Sequence, residues 1–310
     1  MATVNLSGPK GPMAGAPLLG RKRPQRQKII GRLGPWQLLR VIGEGAMTRV
    51  YLARPTESEN QSAHYAVKSL RREWWSEPAA IEAQRREAWV GQRVNSPNLA
   101  PVLSAGVSAP PYYVVQPYLS GRTVAELLAA GERPPLPVAL WIARQAAQAL
   151  DALWDSVGMI HGDVKPANLM VGPDGHTTLL DLGFCQGKQD ISASGWAEKP
   201  VVGTLRYLAP ERVTSATTID PRSDLYSLGA TLYEMLSGRP PFDGDTPELL
   251  INQHRTEKPV CIRDAAPGTP KGVASLVHRL LSKDPMRRPT CAAEAVDELV
   301  ALEISCFGLR

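Results

Sequence analysis

The 310-residue sequence is poor in aromatic residues, which make up 6% of it, with phenylalanine at only three positions. It has four cysteines, Cys185, Cys261, Cys291 and Cys306, and no two stand at CxxC spacing. That scatter argues against a disulfide framework or a thiolate metal site and fits a reducing compartment. No apolar run reaches the length needed to span a bilayer, so no transmembrane segment is expected. The N-terminus lacks the short apolar core of a secretory signal, and a cytoplasmic location is the natural expectation. Acid is missing only locally. Residues 1–32 hold seven basic side chains (Lys10, Arg21, Lys22, Arg23, Arg26, Lys28 and Arg32) and no carboxylate. Subtracting them from the chain's net +5 leaves −2 for the remainder. The basicity therefore belongs to a leader rich in Pro, Gly and Ala, which buries too little apolar surface to offset its ordering entropy. Residues 1–31 are read as a disordered tail, either a solubilising leader or a docking segment for an acidic partner or an anionic surface. Nothing beyond the tail interleaves basic and aromatic residues, so nucleic acid is not an expected partner.

What is present is enough for a sizeable core: 43% of the residues are hydrophobic. Alternating, β-branched stretches at 36–42, 50–53 and 64–70 predict strands, followed by a helix over 78–94 and two more strands near 99–107 and 112–116. From 123 onward the pattern turns helical, at 123–130, 137–156, 224–236, 247–253, 273–281 and 291–302. A β-rich first part joined to a helical remainder predicts an α+β, bilobal fold. The small lobe is 32–117, with one main helix; the larger helical lobe is 118–304; and 305–310 form a C-terminal extension.

Several motifs carry chemistry. Gly43-Glu44-Gly45-Ala46-Met47-Thr48-Arg49-Val50 lies between two strand patterns, where missing side chains let backbone amides approach a phosphate chain and Val50 can cover a base. Paired glycines are also common in plain hairpins, so this stretch alone decides little. Tyr65-Ala66-Val67-Lys68 puts an ammonium on a strand, pointing either to solvent or inward to an anion. Glu87, on the following helix, is either its partner or one more charge on a solvated face. His161-Gly162-Asp163-Val164-Lys165-Pro166-Ala167-Asn168-Leu169-Met170 is more specific. Phosphoryl transfer needs a carboxylate to orient an attacking hydroxyl, a cation beside the moving phosphate and a neutral oxygen ligand for Mg²⁺. Asp181-Leu182-Gly183, after the apolar Thr178-Leu179-Leu180, adds a second carboxylate. Mg²⁺ favours few carboxylates together with phosphate oxygens and water, which suits Asn168 and Asp181 as metal ligands.

With these motifs in this order, the sequence resembles the eukaryotic-like Ser/Thr protein kinases, bacterial members included, over 33–302. The resemblance implies ATP and Mg²⁺, with Mn²⁺ as the alternative ion, and protein substrates bearing Ser or Thr. It also implies a signalling enzyme that phosphorylates itself as well. Position by position, it implies that Gly43 and Gly45 cover the phosphates and that Val50, Ala66 and Met170 enclose the adenine. Lys68 contacts the α/β-phosphates and Glu87 pairs with it. Asp163 is the catalytic base, and Lys165 neighbours the γ-phosphate. The hinge is Gln116-Pro117-Tyr118, with the Gln116 carbonyl and the Tyr118 amide offered to adenine. Pro117 does no harm between them, since its amide is not needed. Gly203 to Glu211 resembles the end of an activation segment, with the Thr204 hydroxyl bridging Asp163 and Lys165. Asp224 resembles an anchor of the catalytic loop, and Arg288 the partner of Glu211.

The sequence also departs from the pattern. Thr48 replaces a third glycine, which predicts a stiffer loop tip. Gly162 stands where many of these kinases carry an arginine that receives activation-loop phosphate, making this a non-RD loop. Activity is therefore expected not to depend strictly on phosphorylation at Ser192, Ser194 or Thr204, with Lys188 or Lys199 as substitute phosphate partners. Gly91, one turn after Glu87, predicts a gap and a looser helix. Arg122 predicts the loss of arginine-directed specificity and a leaning toward an acidic residue upstream of the target hydroxyl. Cys185 is expected to be a small packing residue, and His161 a backbone-bonding one. The rivals to an active protein kinase are a pseudokinase scaffold that binds nucleotide without turnover and a small-molecule phosphotransferase. The first usually loses a key polar residue, and the second lacks the 203–211 segment.

Overall fold

The computed structural model describes residues 28–57, 64–187, 205–214 and 220–306. Six strands form one antiparallel sheet: β1 (Gly31–Leu33), β2 (Trp36–Glu44), β3 (Thr48–Pro55), β4 (Tyr65–Leu70), β5 (Ser104–Gly106) and β6 (Tyr113–Pro117), in the order β1-β2-β3-β4-β6-β5. Alternation along the strands sets the two faces. Val67 packs on one side with Leu33, Leu38, Ala53 and Val115. Its neighbours Ala66 and Lys68 point to the other. Cross-strand pairs share a face, so Val50, opposite Lys68, and Gln116, opposite Ala66, join them there. The chain enters the sheet at Gly31, one residue inside the stretch assigned to the tail, and the Ile30 amide already donates to the Leu38 carbonyl.

Helix α1 (Pro78–Gly91) begins with proline at its first turn, where a missing amide costs nothing, and buries Ala80, Gln84, Glu87, Ala88 and Gly91. These recur every three or four residues, so one stripe of the helix faces the sheet. The expected gap at Gly91 does not exist. A Cβ there would meet Val102 Cγ2 at 2.5 Å, and the Val102 amide donates to the Gly91 carbonyl at 2.9 Å. The glycine allows close approach, and the helix end is pinned by it. Gly91→Leu is expected to push α1 off the sheet at a cost of about 1–3 kcal/mol, lowering Tm by several degrees and activity with it. An unchanged melting curve would contradict this packing.

The larger lobe is built on α3 (Leu136–Val157) and α5 (Arg222–Ser237), after the short α2 (Val124–Ala129) and α4 (Pro210–Thr214). Both long helices end where a glycine in the left-handed region stops the turn, at Gly158 and Gly238. Around them pack α6 (Pro247–Thr256), α7 (Ile262–Ala265), α8 (Lys271–Leu280) and α9 (Ala292–Cys306). The last helix runs past the assigned boundary at 304, because Cys306 is buried in the core and holds the final turn down. Two small sheets line the junction of the lobes, and of their strands the sequence marks only the apolar stretch Thr178-Leu179-Leu180. One joins β7 (Arg122–Thr123), β9 (Leu169–Val171) and β10 (Thr177–Leu179); the other pairs β8 (Met159–Ile160) with β11 (Gln186–Gly187). Among the described residues, no helix is long and apolar enough to cross a membrane.

Candidate active site

Strand β4 and helix α1 bring Lys68 and Glu87 together. The Lys68 Nζ lies 2.9 Å from one Glu87 oxygen and 3.1 Å from the other, and 2.7 Å from Asp181 Oδ1. Glu87, one charge among many in the sequence, is 2% exposed and faces inward. Burial pushes the Lys68 ammonium toward the neutral form, but Asp181 and Glu87 more than reverse this and its pKa ends above the ordinary lysine value. One cation serves two carboxylates unequally. Burial raises Glu87 despite Lys68, whereas Asp181, also pushed up by burial, is brought below the usual range by Lys68. Asp181 is the single non-glycine residue with positive φ among the described residues, at 65°, a conformation costing about 1–2 kcal/mol. Ion pairing to Lys68 offsets that cost.

The loop between β8 and β9 holds the other half of the site. Asp163 is buried, and its carboxyl is raised by that burial against the pull of Lys165, whose Nζ is 2.8 Å away. The Asn168 Nδ2 donates to the Asp163 carbonyl at 2.8 Å and to Asp163 Oδ2 at 2.9 Å. Both amide hydrogens are thereby engaged, which leaves Asn168 Oδ1 as a free-facing acceptor. The Leu180 amide donates to the Asn168 carbonyl at 2.8 Å, tying the segment that carries Asp181 to this loop. Below it, buried Asp224 accepts the His161 amide at 2.6 Å and the Gly162 amide at 2.8 Å. The His161 Nδ1 accepts from the Asp163 amide, and its Nε2 faces the Leu180 carbonyl at 3.0 Å. The imidazole therefore carries its proton on Nε2 and supports backbone rather than substrate. Farther out, Arg288 grips Glu211 through two bonds of 2.6 and 2.9 Å.

Residues 36–300 match the family model of the protein kinase domain. The chain belongs to the protein kinase family. Among its relatives, it is 35% identical to serine/threonine-protein kinase pkn2 of Myxococcus xanthus, over 86% of this chain and 32% of that protein. It is 34% identical to serine/threonine-protein kinase PknB of Mycobacterium leprae, over 86% of this chain and 42% of that one. Both relatives are bacterial serine/threonine-protein kinases, and the chain spans about a third to two fifths of their length. The crystal structure of the Mycobacterium tuberculosis PknI kinase domain shares its fold, with a TM-score of 0.65 at 23% identity, over 87% of this chain and 97% of that one.

The backbone groups turned away from β4 fall one residue later than the hinge groups that the sequence suggests. The Tyr118 amide donates to the His64 carbonyl at 2.8 Å, and the Leu70 amide to the Tyr112 carbonyl at 2.9 Å. Bonded pairs alternate in an antiparallel ladder, so the Gln116 carbonyl also turns toward β4. The groups turned away are the Pro117 carbonyl and the Leu119 amide, beyond the last β5 contact, from the Leu103 amide to the Val115 carbonyl. Gln116 keeps a place in the cleft through its side chain, on the face of Ala66 and Lys68, with its Nε2 buried and without a hydrogen-bond partner.

In the glycine loop, Gly43 faces Val50 across the hairpin and a Glu44–Arg49 ion pair staples it. The Gly45 amide donates to the Thr48 carbonyl at 2.9 Å, so it closes the tip and does not stand open. Met170 lies on β9 between Thr123 and Thr178. Arg122 is paired with Glu132, at 2.8 and 2.9 Å, so its charge is balanced within the chain. Burial drives the Cys185 thiol far above its ordinary pKa, in keeping with a packing residue. Gly203, Thr204, Ser192, Ser194, Lys188 and Lys199 lie outside the described residues.

A buried polar tie leaves no mark in the sequence. Asn98 donates to Gln145 at 3.1 Å and to the Thr177 carbonyl at 2.9 Å, while its own carbonyl accepts the Leu179 amide at 2.8 Å. It fixes β10, and hence Asp181, to the segment after α1. An asparagine followed by leucine reads as an ordinary loop in the sequence, because its partners lie dozens of residues away.

Proposed function

We propose that the kinase transfers the γ-phosphate of ATP, with Mg²⁺, to serine and threonine hydroxyls of proteins, itself included, in the cytoplasm. The observation that supports this best is the convergence of two sets of groups: the Lys68–Glu87–Asp181 cluster and the Asp163–Lys165–Asn168 loop. In this reading Lys68, held by Glu87, binds the α/β-phosphates. Adenine sits between Val50 and Ala66 above and Met170 below, against the Pro117 carbonyl and the Leu119 amide. Asn168 Oδ1 and the Asp181 carboxylate suit a hard cation that takes few protein ligands. When bound, Mg²⁺ neutralises charge on the phosphate oxygens. Asp163 orients the substrate hydroxyl and accepts its proton, and Lys165 stabilises charge on the phosphoryl group in flight.

Lys68→Met is expected to lower transfer of labelled γ-phosphate to a generic acceptor protein by about 10²-fold or more, with the melting temperature kept within a few degrees. Methionine preserves the stem and removes the charge. Equal transfer by both proteins would contradict the reading. Nucleotide binding by the unmodified protein without any transfer would favour the scaffold alternative.

A further inference from the structure

Gly162 puts no side chain at the position just before Asp163, yet a cation lies next to it. Gly162 has φ of +80°, and a Cβ built there would meet the Phe184 carbonyl oxygen at 2.8 Å, so a side chain at this position is resisted twice. The same Cβ position is 3.5 Å from Nη2 of Arg212, which reaches in from α4, fifty residues later in the chain. Arg212 follows Glu211, whose carboxylate is held by Arg288 and by the Ser223 hydroxyl at 2.8 Å. The root of the Arg212 side chain is thus fixed by a neighbouring buried pair. Its guanidinium lies within the electrostatic reach of Asp224, Glu211 and Asp163, which favour its charge against the burial that opposes it. In return it favours the charge of buried Asp224, the carboxylate that grips the His161 and Gly162 amides.

We infer that Arg212 is a positioning residue for phosphoryl transfer: from α4 it supplies a cation at the place where residue 162 has no side chain, and it holds Asp224 and the backbone leading to Asp163 in register. This rests on the kinase reading above. Arg212 touches neither the hydroxyl nor the phosphate. It acts through Asp224 and the Gly162 backbone, so its loss displaces Asp163 without emptying the nucleotide site. A guanidinium on another helix also makes the loop geometry depend on where α4 sits, a coupling that an arginine at 162 itself would not create.

The test compares unmodified protein with Arg212→Met, Arg212→Lys and Arg212→Ala, measuring kcat and the KM for ATP with casein as acceptor, and the melting temperature. Arg212→Met keeps the aliphatic stem and is expected to fold. Its kcat should fall about 100-fold while the KM for ATP stays within about twofold, because misplacement of a reacting group acts on the chemical step. Arg212→Lys should recover most of kcat, and millimolar guanidinium chloride should raise that of Arg212→Ala at least several-fold. Methionine or alanine variants with more than half of normal kcat overturn the inference, as does loss that neither lysine nor guanidinium relieves in a folded protein. A rise in the KM for ATP matching the loss in kcat/KM also overturns it. If the unmodified protein transfers no phosphate, the kinase reading falls and this inference with it; an active unmodified protein with an indifferent Arg212 sinks the inference alone.

Discussion

Asp163→Asn is expected to lower phosphate transfer by roughly 10²–10⁴-fold while leaving the fold intact. Asparagine keeps the shape of the side chain and its contact with Asn168 on one oxygen, but it cannot accept a proton from the attacking hydroxyl. The expected effect on stability is small and of uncommon sign. Burial raises the Asp163 carboxyl, so its ionised form is held in the fold at a cost that Lys165, at 2.8 Å, only partly offsets. For a carboxyl raised in the folded state, that cost is present above its folded pKa and is relieved as pH falls through it. The neutral asparagine escapes it and gives up the Lys165 pair, so the variant should melt at or slightly above the temperature of the unmodified protein at neutral pH. A fall of many degrees would mean that Asp163 is chiefly structural. Retention of more than a tenth of the transfer rate would mean that another group takes the proton.

The largest effect on stability is expected at Arg288. Its side chain is fully buried, donates to both Glu211 oxygens and to the carbonyls of Arg222 and Ser282, and lies over the Tyr226 ring at 4.9 Å. Arg288→Ala takes the guanidinium away from the Glu211 carboxylate, which keeps the Ser223 hydroxyl, and away from the two carbonyls. Breaking one side of a buried pair costs about 3–5 kcal/mol. At about 2–4 °C per kcal/mol for a domain of this size, Tm should fall by roughly 10 °C. Replacing both partners with apolar residues of similar volume should recover a large part of the loss, because the pair must overcome its own desolvation. Thermal melting of the two single variants and the double variant is the measurement. Strict additivity of the two single losses would show that the contact contributes no coupling.

The strands and long helices were legible because their periodicity is strong. The alternation around Val67 and the three-to-four spacing along α1 both reflect one face pressed on a core. The catalytic loop and Asp181 were legible for another reason: their polar residues are close in the chain and flanked by apolar strands. What escaped depends on contacts distant in sequence or on which way a backbone group turns. A string of residues at the hinge does not tell whether Gln116 or Pro117 turns its carbonyl from β4, since one step of register reverses every amide. Gly91 looked like a gap because the closeness of Val102, eleven residues on, is not written in the helix. Arg212 gave no signal at all, being one charge in a run whose partners Gly162 and Asp224 come from two other elements.

The proposed chemistry is movement of a terminal phosphate to an alcohol by the two converging sets of polar groups. It is tested most directly by incubating the protein and an acceptor with ATP labelled in either the γ or the α position, followed by phosphoamino-acid analysis. Label from γ-labelled ATP should appear on serine and threonine, with none from α-labelled ATP and none in the Asp163→Asn control. Nucleotide bound at the Lys68 cleft with no label on either acceptor, or label that survives in the control, would contradict it.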